Sequence, residues 1–315
     1  MSLLDRVQPD PLWQCFAMES GIRVHLVDGT YELFRHFFGA PPRAGADGTE
    51  VGAVRGVVSS VVSMLADGAT HVGVATDHVI ESFRNDMWPG YKSGAGIDPV
   101  LSAQFVPLEE ALDALGVLVW PMVELEADDA LASGAAVAAE DASVNQVLIC
   151  TPDKDLAQCV DGRHVVQLDR RAGTITDEDG VRAKFGVDPT SIPDWLALVG
   201  DSADGFPGLS GWGKRTASVV LAHYGHIPDI PDRAADWDPL VVRSVRGAAT
   251  LAARLADERD KAMLFRDLAT LRVDRSLLGS VGDLAWKGPT PAFAEICRSW
   301  RDPALADRAA ALGPS

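Results

Sequence analysis

The sequence predicts an α/β protein, with a mostly parallel central sheet flanked by helices and a smaller helical region after it. Short β-branched apolar runs alternate with stretches of helical spacing through the first half of the chain. Those runs lead repeatedly to an aspartate, at Asp28, Asp77 and Asp153. Beyond about residue 190 the pattern changes to helices parted by Gly and Pro clusters.

Taken in order, residues 1–20 read as an N-terminal extension separate from the core. Ile22 to Val27 is a buried strand closed by the turn signal Asp28-Gly29. Val51 to Leu65 has helical spacing, and Val72 to Ala75 is a strand ending at Thr76-Asp77. Glu109 to Leu115 completes a helix leading into the strand Val117 to Trp120. Ala127 to Ala139 is a further helix, and the strand Gln146 to Ile149 runs into Thr151-Pro152-Asp153. Ligands of an open parallel sheet collect outside the carboxyl ends of its strands, so the three aspartates should share one edge. The core is expected over residues 21–190 and the helical region over 191–315.

With 315 residues, 47% of them hydrophobic, the chain can bury a substantial core plus an appendage. No apolar run approaches the roughly 18 to 20 residues of a bilayer crossing, and the first residues lack a signal-peptide pattern, so a cytoplasmic protein without membrane contact is expected. Cys15, Cys150, Cys159 and Cys297 lack metal or redox spacing and read as reduced, non-catalytic thiols. The net charge of −17 argues at first against a nucleic-acid partner.

The acidic residues supply an answer. Besides the three strand-end aspartates, Glu126-Ala127-Asp128-Asp129 opens a helix, Asp155 follows Asp153, and Asp201 and Asp204 lie in a Gly-rich stretch. Any one of these suits a turn or an N-cap. Converging together they would repel, by about 3 kcal/mol for each pair ~5 Å apart at an effective dielectric near 20. Hard divalent ions, magnesium or manganese, would neutralise them, and two such ions suit phosphodiester hydrolysis. Carboxylates masked by metal make net charge a poor guide to the DNA-facing surface.

Gly208 to Lys214 fits a phosphate-binding P-loop except at its end, where Arg215 replaces the metal-binding hydroxyl, and no strand precedes it. ATP binding is therefore not expected. A tight hairpin before a helix starting near Lys214 would instead offer backbone N–H groups and two cations, Lys214 and Arg215, to a phosphate without reading bases.

Val27-Asp28-Gly29, Glu126-Ala127-Asp128-Asp129, Asp153-Lys154-Asp155, and Gly200-Asp201-Ser202-Ala203-Asp204 through Pro207-Gly208 to Gly213-Lys214 occur in one order between Arg23 and Tyr224. In this the chain resembles the flap endonuclease and 5′ to 3′ exonuclease family, which includes the nuclease domain attached to bacterial DNA polymerase I. The resemblance implies a PIN-like 5′-nuclease fold, a helical arch around 78–108, and a helix-three-turn-helix at about 195–224. It implies that Glu126, Asp128, Asp153 and Asp155 hold a first metal, that Asp28 and Asp77 support it through water, and that Asp129, Asp201 and Asp204 serve a second. Tyr91 and Lys92 would stand at the base of the arch, with Lys92 facing the scissile phosphate. Phe34 would stack on a base near the cut, and Arg35, Arg84, Gly208, Gly211, Gly213, Lys214 and Arg215 complete the expected DNA contacts. Potassium is implied at the main-chain oxygens of Leu198, Val199, Pro207, Leu209 and Trp212.

The expected activity is that of a structure-specific 5′ nuclease in replication and repair. By resemblance its substrates are DNA with 5′ flaps, gaps or free 5′ ends, RNA-primer duplexes included, met by a nucleoid-associated monomer. No polymerase region follows the matched segment, which reads as stand-alone. The chain departs from the family in four places, the first being residues 1–20, which have no counterpart there. Ser93-Gly94-Ala95-Gly96-Ile97 brings no cation before Asp98, Gly205 replaces an asparagine, and residues 225–315 match least. Two other readings are a PIN-domain-like ribonuclease, which lacks the hairpin at Pro207 to Gly213, and a non-catalytic binder of branched DNA.

Overall fold

A computed structural model describes residues 21–313, so the extension expected over 1–20 and Cys15 lie outside the described residues. The sheet has six strands: β1 (Ile22–Asp28), β2 (His71–Asp77), β3 (Leu118–Met122), β4 (Val144–Cys150), β5 (Val165–Asp169) and β6 (Thr174–Thr176). Their order is β3-β2-β1-β4-β5-β6, all parallel except β6, which runs antiparallel to β5. The chain winds outward from β1 to β3 and then returns to β4 on the other side of β1. This reversal opens a crevice at the carboxyl ends of β1 and β4.

Helix α1 (Gly29–Gly39) begins directly where β1 ends. The turn expected at Asp28-Gly29 is absent because the Asp28 side chain accepts from the Tyr31 N–H at 2.8 Å and caps the helix instead. In α2 (Gly52–Ala66), Val54, Val57, Val58, Val61, Val62 and Leu65 recur at helical spacing and form the buried stripe.

Two four-residue helices, α3 (Arg84–Met87) and α4 (Pro99–Ser102), then flank a loop around residues 93–98. The helical arch expected around 78–108 is thus mostly short turns, because Ser93 to Gly96 offers no apolar stripe to cover. α5 (Phe105–Leu115) packs with α2 on one face of the sheet, and the alanine-rich α6 (Ala127–Ala139) packs on the other against Leu26, Trp120 and Ile149.

The second body comprises α7 (Glu178–Phe185), α8 (Ile192–Val199), α9 (Lys214–Tyr224), α10 (Pro239–Ser244), α11 (Ala248–Asp257) and α12 (Arg259–Ala269) around Trp195, Phe206, Trp212, Leu251 and Phe265. This body begins with α7, before the boundary expected near 190, and the region expected over 191–315 does not continue as one unit to residue 313. From Leu271 onward the chain returns to the α/β core: Leu271, Leu277, Leu278, Val281 and Leu284 join the cluster against α6, then α13 (Pro291–Ser299) packs on α5 and α14 (Pro303–Leu312) on α2. Trp286, Phe293, Cys297, Trp300 and Leu305 join the cluster under α2, and the Trp286 indole N–H donates to the Leu115 carbonyl at 2.8 Å. Cys150, Cys159 and Cys297 carry free thiols, and burial pushes the first two up to about 12.

Phe293→Ala should therefore destabilise the whole α/β core by about 3 to 5 kcal/mol, read as a lower midpoint in urea unfolding. A loss below roughly 1 kcal/mol would mean that the C-terminal helices do not share that core.

Candidate metal centre

Strands β2, β1 and β4 are neighbours, so their carboxyl ends deliver Asp77, Asp28 and the Thr151–Asp155 loop to one place. Asp28 Oδ2 accepts from the Thr151 hydroxyl at 2.9 Å. Asp77 Oδ1 accepts from the Ala127 N–H at 2.8 Å and so ties the start of α6 to the end of β2. The Asp77 N–H donates to the Thr30 hydroxyl at 2.8 Å, which brings in the first turn of α1. In the loop, Asp153 Oδ1 accepts from the Asp155 N–H at 2.9 Å.

Glu126 is the N-cap of α6 and forms a capping box with Asp129. The segment after β2 encloses its buried carboxylate. Oε1 accepts from the Ser82 hydroxyl at 2.5 Å and lies 3.2 Å from Arg84 Nη1. Oε2 accepts from the Tyr91 hydroxyl at 3.2 Å and from Lys92 Nζ at 2.8 Å.

The field here is strongly negative. Burial raises the Asp28 carboxyl to about 7, and the charges of Asp77 and Asp153 add to the effect. Burial likewise raises Asp77, Asp128, Asp155 and Asp204, with Asp153 pressing on Asp128 and Asp155, and Asp201 on Asp204. Burial also works against the charge on Glu126, but Lys92 and Arg84 hold that carboxylate below its ordinary range.

Two lysines reach into the cluster. Lys92 Nζ lies 2.8 Å from Glu126 and 3.5 Å from Asp204 Oδ1, and Lys154 pairs with Asp201 and stands 3.7 Å from Asp155 Oδ1. Even so, the buried Asp155 Oδ1 makes no hydrogen bond. One carboxylate oxygen each from Asp155, Asp201 and Asp204 lie within 4.8 Å of one another. An orphaned buried oxygen among convergent carboxylates fits a hard divalent cation, which accepts all-oxygen ligation and relieves the repulsion.

The predicted residues do not all meet at one place. Asp28, Asp77, Glu126, Asp128, Asp153, Asp155, Asp201, Asp204 and Lys92 come together. Within that set Asp155 groups with Asp201 and Asp204, not with Glu126 and Asp128 as expected. Asp129 does not join them: it is fully buried behind the cluster, with Oδ1 accepting from Arg84 Nη2 at 2.7 Å and the Arg272 N–H at 2.8 Å. Its Oδ2 accepts from Arg84 Nη1 at 2.8 Å and the Glu126 N–H at 3.0 Å, which leaves no oxygen for a metal. Arg84 is 1% exposed and committed to that pair, so it is no DNA contact.

Phe34 is half-buried against Phe105 and Arg35 is paired with Glu32, whereas Phe38 at the end of α1 is 73% exposed. Gly208 is buried, with φ +70°, and an added Cβ would lie 2.4 Å from the Gly200 nitrogen. Its role is close backbone packing, not DNA contact. Of the carbonyls expected for potassium, that of Leu198 accepts from the Leu209 N–H at 3.0 Å and that of Leu209 from the Trp212 N–H at 3.1 Å. Gly211, Gly213, Lys214 and Arg215 are exposed at the start of α9.

Sequence reasoning missed Lys154 and Thr151, although both sit inside the Thr151-Pro152-Asp153-Lys154-Asp155 motif, and it missed Ser82, for which no local signal exists. A groove of about 610 Å³, lined among others by Tyr31, Asp153, Lys154, Lys184, Asp201 and Lys214, connects the acids to the start of α9.

The sequence matches two family descriptions: 5′-3′ exonuclease, N-terminal resolvase-like domain, over residues 23–186, and 5′-3′ exonuclease, C-terminal SAM fold, over 187–292. It is 36% identical to DNA polymerase I of Pseudomonas aeruginosa over 254 residues, 80% of this chain and 27% of that one. The chain thus spans about a quarter of the length of such polymerases. It is 31% identical to a 5′-3′ exonuclease of Aquifex aeolicus over 209 residues, 66% of this chain and 71% of the relative.

Among solved structures, T5 5′-exonuclease with bound zinc superposes with a TM-score of 0.60 at 15% identity, covering 92% of this chain and 97% of that one. The catalytic core of Rad2 in complex with DNA substrate gives 0.59 at 14% identity, covering 91% of each. At these identities the likeness is one of fold.

A carboxyl that titrates higher in the folded than in the unfolded chain binds protons preferentially when folded. Its stabilising contribution is full below its ordinary value near 3.8 and is lost as pH rises through about 7. In chelator, the native chain should lose stability relative to Asp28→Asn between these limits, by up to about 1.4 kcal/mol per pH unit. Parallel stability curves for the two proteins would contradict the burial of that charge.

Proposed function

The chain belongs to the 5′-3′ exonuclease family, and on that premise we propose that it is a structure-specific 5′ nuclease. In this reading it acts as flap endonuclease and 5′ to 3′ exonuclease, hydrolysing DNA phosphodiester bonds in replication and repair. The observation that carries the proposal is the orphaned Asp155 oxygen beside Asp201 and Asp204, in continuity with the acids around Glu126. Bound zinc in the T5 neighbour and bound DNA in the Rad2 neighbour support it.

Asp28, Asp77, Glu126 and Asp128 would serve one ion, Asp155, Asp201 and Asp204 another, with Asp153 between them. Magnesium or manganese there would supply water activation and stabilisation of the leaving oxygen. The protein groups supply positioning and charge. Lys92 already lies within reach of both groups of acids, so its ammonium can donate to a phosphate oxygen entering between them and stabilise charge that grows during cleavage.

Further from the cut, the exposed N-terminus of α9 with Lys214 and Arg215 holds a duplex phosphate without reading sequence. In this reading the main-chain oxygens of Leu198, Val199, Pro207, Leu209 and Trp212 hold a potassium ion at that turn. The substrates are DNA with 5′ flaps, gaps or free 5′ ends, and RNA-primed duplexes, acted on by a monomer at the nucleoid. Among the described residues no helix is long and apolar enough to cross a membrane.

A 5′-labelled flap duplex, incubated with manganese, with magnesium and with chelator beside a single-stranded RNA of matching length, tests this reading. Metal-dependent cuts near the junction are expected. Cleavage of RNA alone would point to a ribonuclease, and binding without cleavage to an inactive branched-DNA binder. Asp153→Asn, which removes charge with little change in volume, should abolish cleavage while leaving the fold intact. Lys92→Ala should lower the single-turnover rate by about 10² or more, and a near-native rate would remove Lys92 from the chemistry.

A further inference from the structure

The two groups of acids are tied to one short piece of backbone that lies behind them, at the end of α12. The last carbonyls of a helix have no partner within it and need donors from elsewhere. Here two side chains provide them, one from each group of acids. Arg84 Nε donates to the Leu268 carbonyl at 2.8 Å and Nη2 to the Thr270 carbonyl at 3.1 Å. The same guanidinium grips Asp129 with both Nη atoms and lies 3.2 Å from Glu126. From the other group, Gln158, three residues after Asp155, donates to the Ala269 carbonyl at 3.0 Å and the Asp155 carbonyl at 2.8 Å. Its Oε1 accepts from the Leu271 N–H at 3.0 Å.

The contacts are consecutive in the chain. Residues 268, 270 and 272 bond to Arg84 and Asp129 on the Glu126 side, and residues 269 and 271 bond to Gln158 on the Asp155 side. A third tie comes from α12 itself, which packs on α8, the helix that leads into Asp201, with Arg266 Nε 2.8 Å from the fully buried Asp194. Every segment that carries an acid of the Asp155 group, and the N-cap of α6 that carries Glu126, is therefore referenced to α12.

We infer that residues 268–272 form a common brace that sets the separation of the two acidic groups, with Arg84 and Gln158 as positioning residues. This inference rests on the metal-dependent reading proposed above. Neither side chain supplies a metal ligand; each orients the main chain from which the ligating carboxylates project. Loss of such supporting contacts weakens metal binding by about 10-fold to 100-fold in metalloproteins generally.

The test is calorimetric titration of Mn²⁺ into the full chain without DNA. Gln158→Met keeps the length of the half-buried side chain and removes its hydrogen bonds, and Arg84→Lys keeps the charge and removes the fork. Each should bind Mn²⁺ at least about tenfold more weakly with an unchanged circular dichroism spectrum. Wild-type Mn²⁺ affinity in whichever of the two folds would overturn the brace, as would a lower unfolding midpoint with unaltered Mn²⁺ affinity, the sign of a purely structural role. Asp153→Asn separates the two ideas. If it abolishes Mn²⁺ binding while Gln158→Met does not alter it, only the brace fails. If Asp153→Asn also binds normally, the metal reading fails and takes the brace with it.

Discussion

Repulsion among carboxylates at one edge of a parallel sheet is the constraint on which the rest of the molecule turns. Eight acidic side chains come together where β2, β1 and β4 end and α6 begins, most of them withdrawn from water. Such an arrangement is costly by itself, and the surrounding structure reads as a set of responses to that cost. Thr151 and the N-terminus of α6 aim donors at Asp28 and Asp77. Lys92 and Lys154 place ammonium groups between acids that face each other.

The same constraint explains the position of the second body. Acids that repel will spread unless something resists: the second body contributes Asp201 and Asp204 between α8 and α9, and its residues 268–272 bond to Arg84, Asp129 and Gln158 beside the other acids. Asp129 illustrates the division of labour. It belongs by sequence to the run Glu126 to Asp129, yet it faces away from its neighbours and spends its charge on Arg84. One carboxylate of the motif thus holds the others in place.

Much of this was legible in the residues. The strand runs, the span of α6 and the gathering of strand-end aspartates follow from periodicity and from the rule for parallel sheets, and they appear where expected. The acid motifs are visible because their residue types are rare together. What escaped depends on direction. Asp128 and Asp129 are chemically identical, and about 100° of helical rotation decides that one meets the site and the other the brace. Arg84 looks like a surface cation because its partner lies 45 residues later in the chain. The helices after Trp286 show an apolar stripe, but a stripe says nothing of what covers it, and the cover proves to be α2 and α5, about 180 residues or more earlier in the chain.

The return of the C-terminal helices to α2 and α5 has a consequence for how the protein is made. A ribosome releases the sheet strands and every one of the acids before residues 268–312 emerge. Until then the valine stripe of α2 lacks part of its cover, and Arg84 and Gln158 lack the carbonyls they bond. Vectorial synthesis therefore delivers the acids before their support. A nascent chain carries an incomplete centre until those residues have emerged.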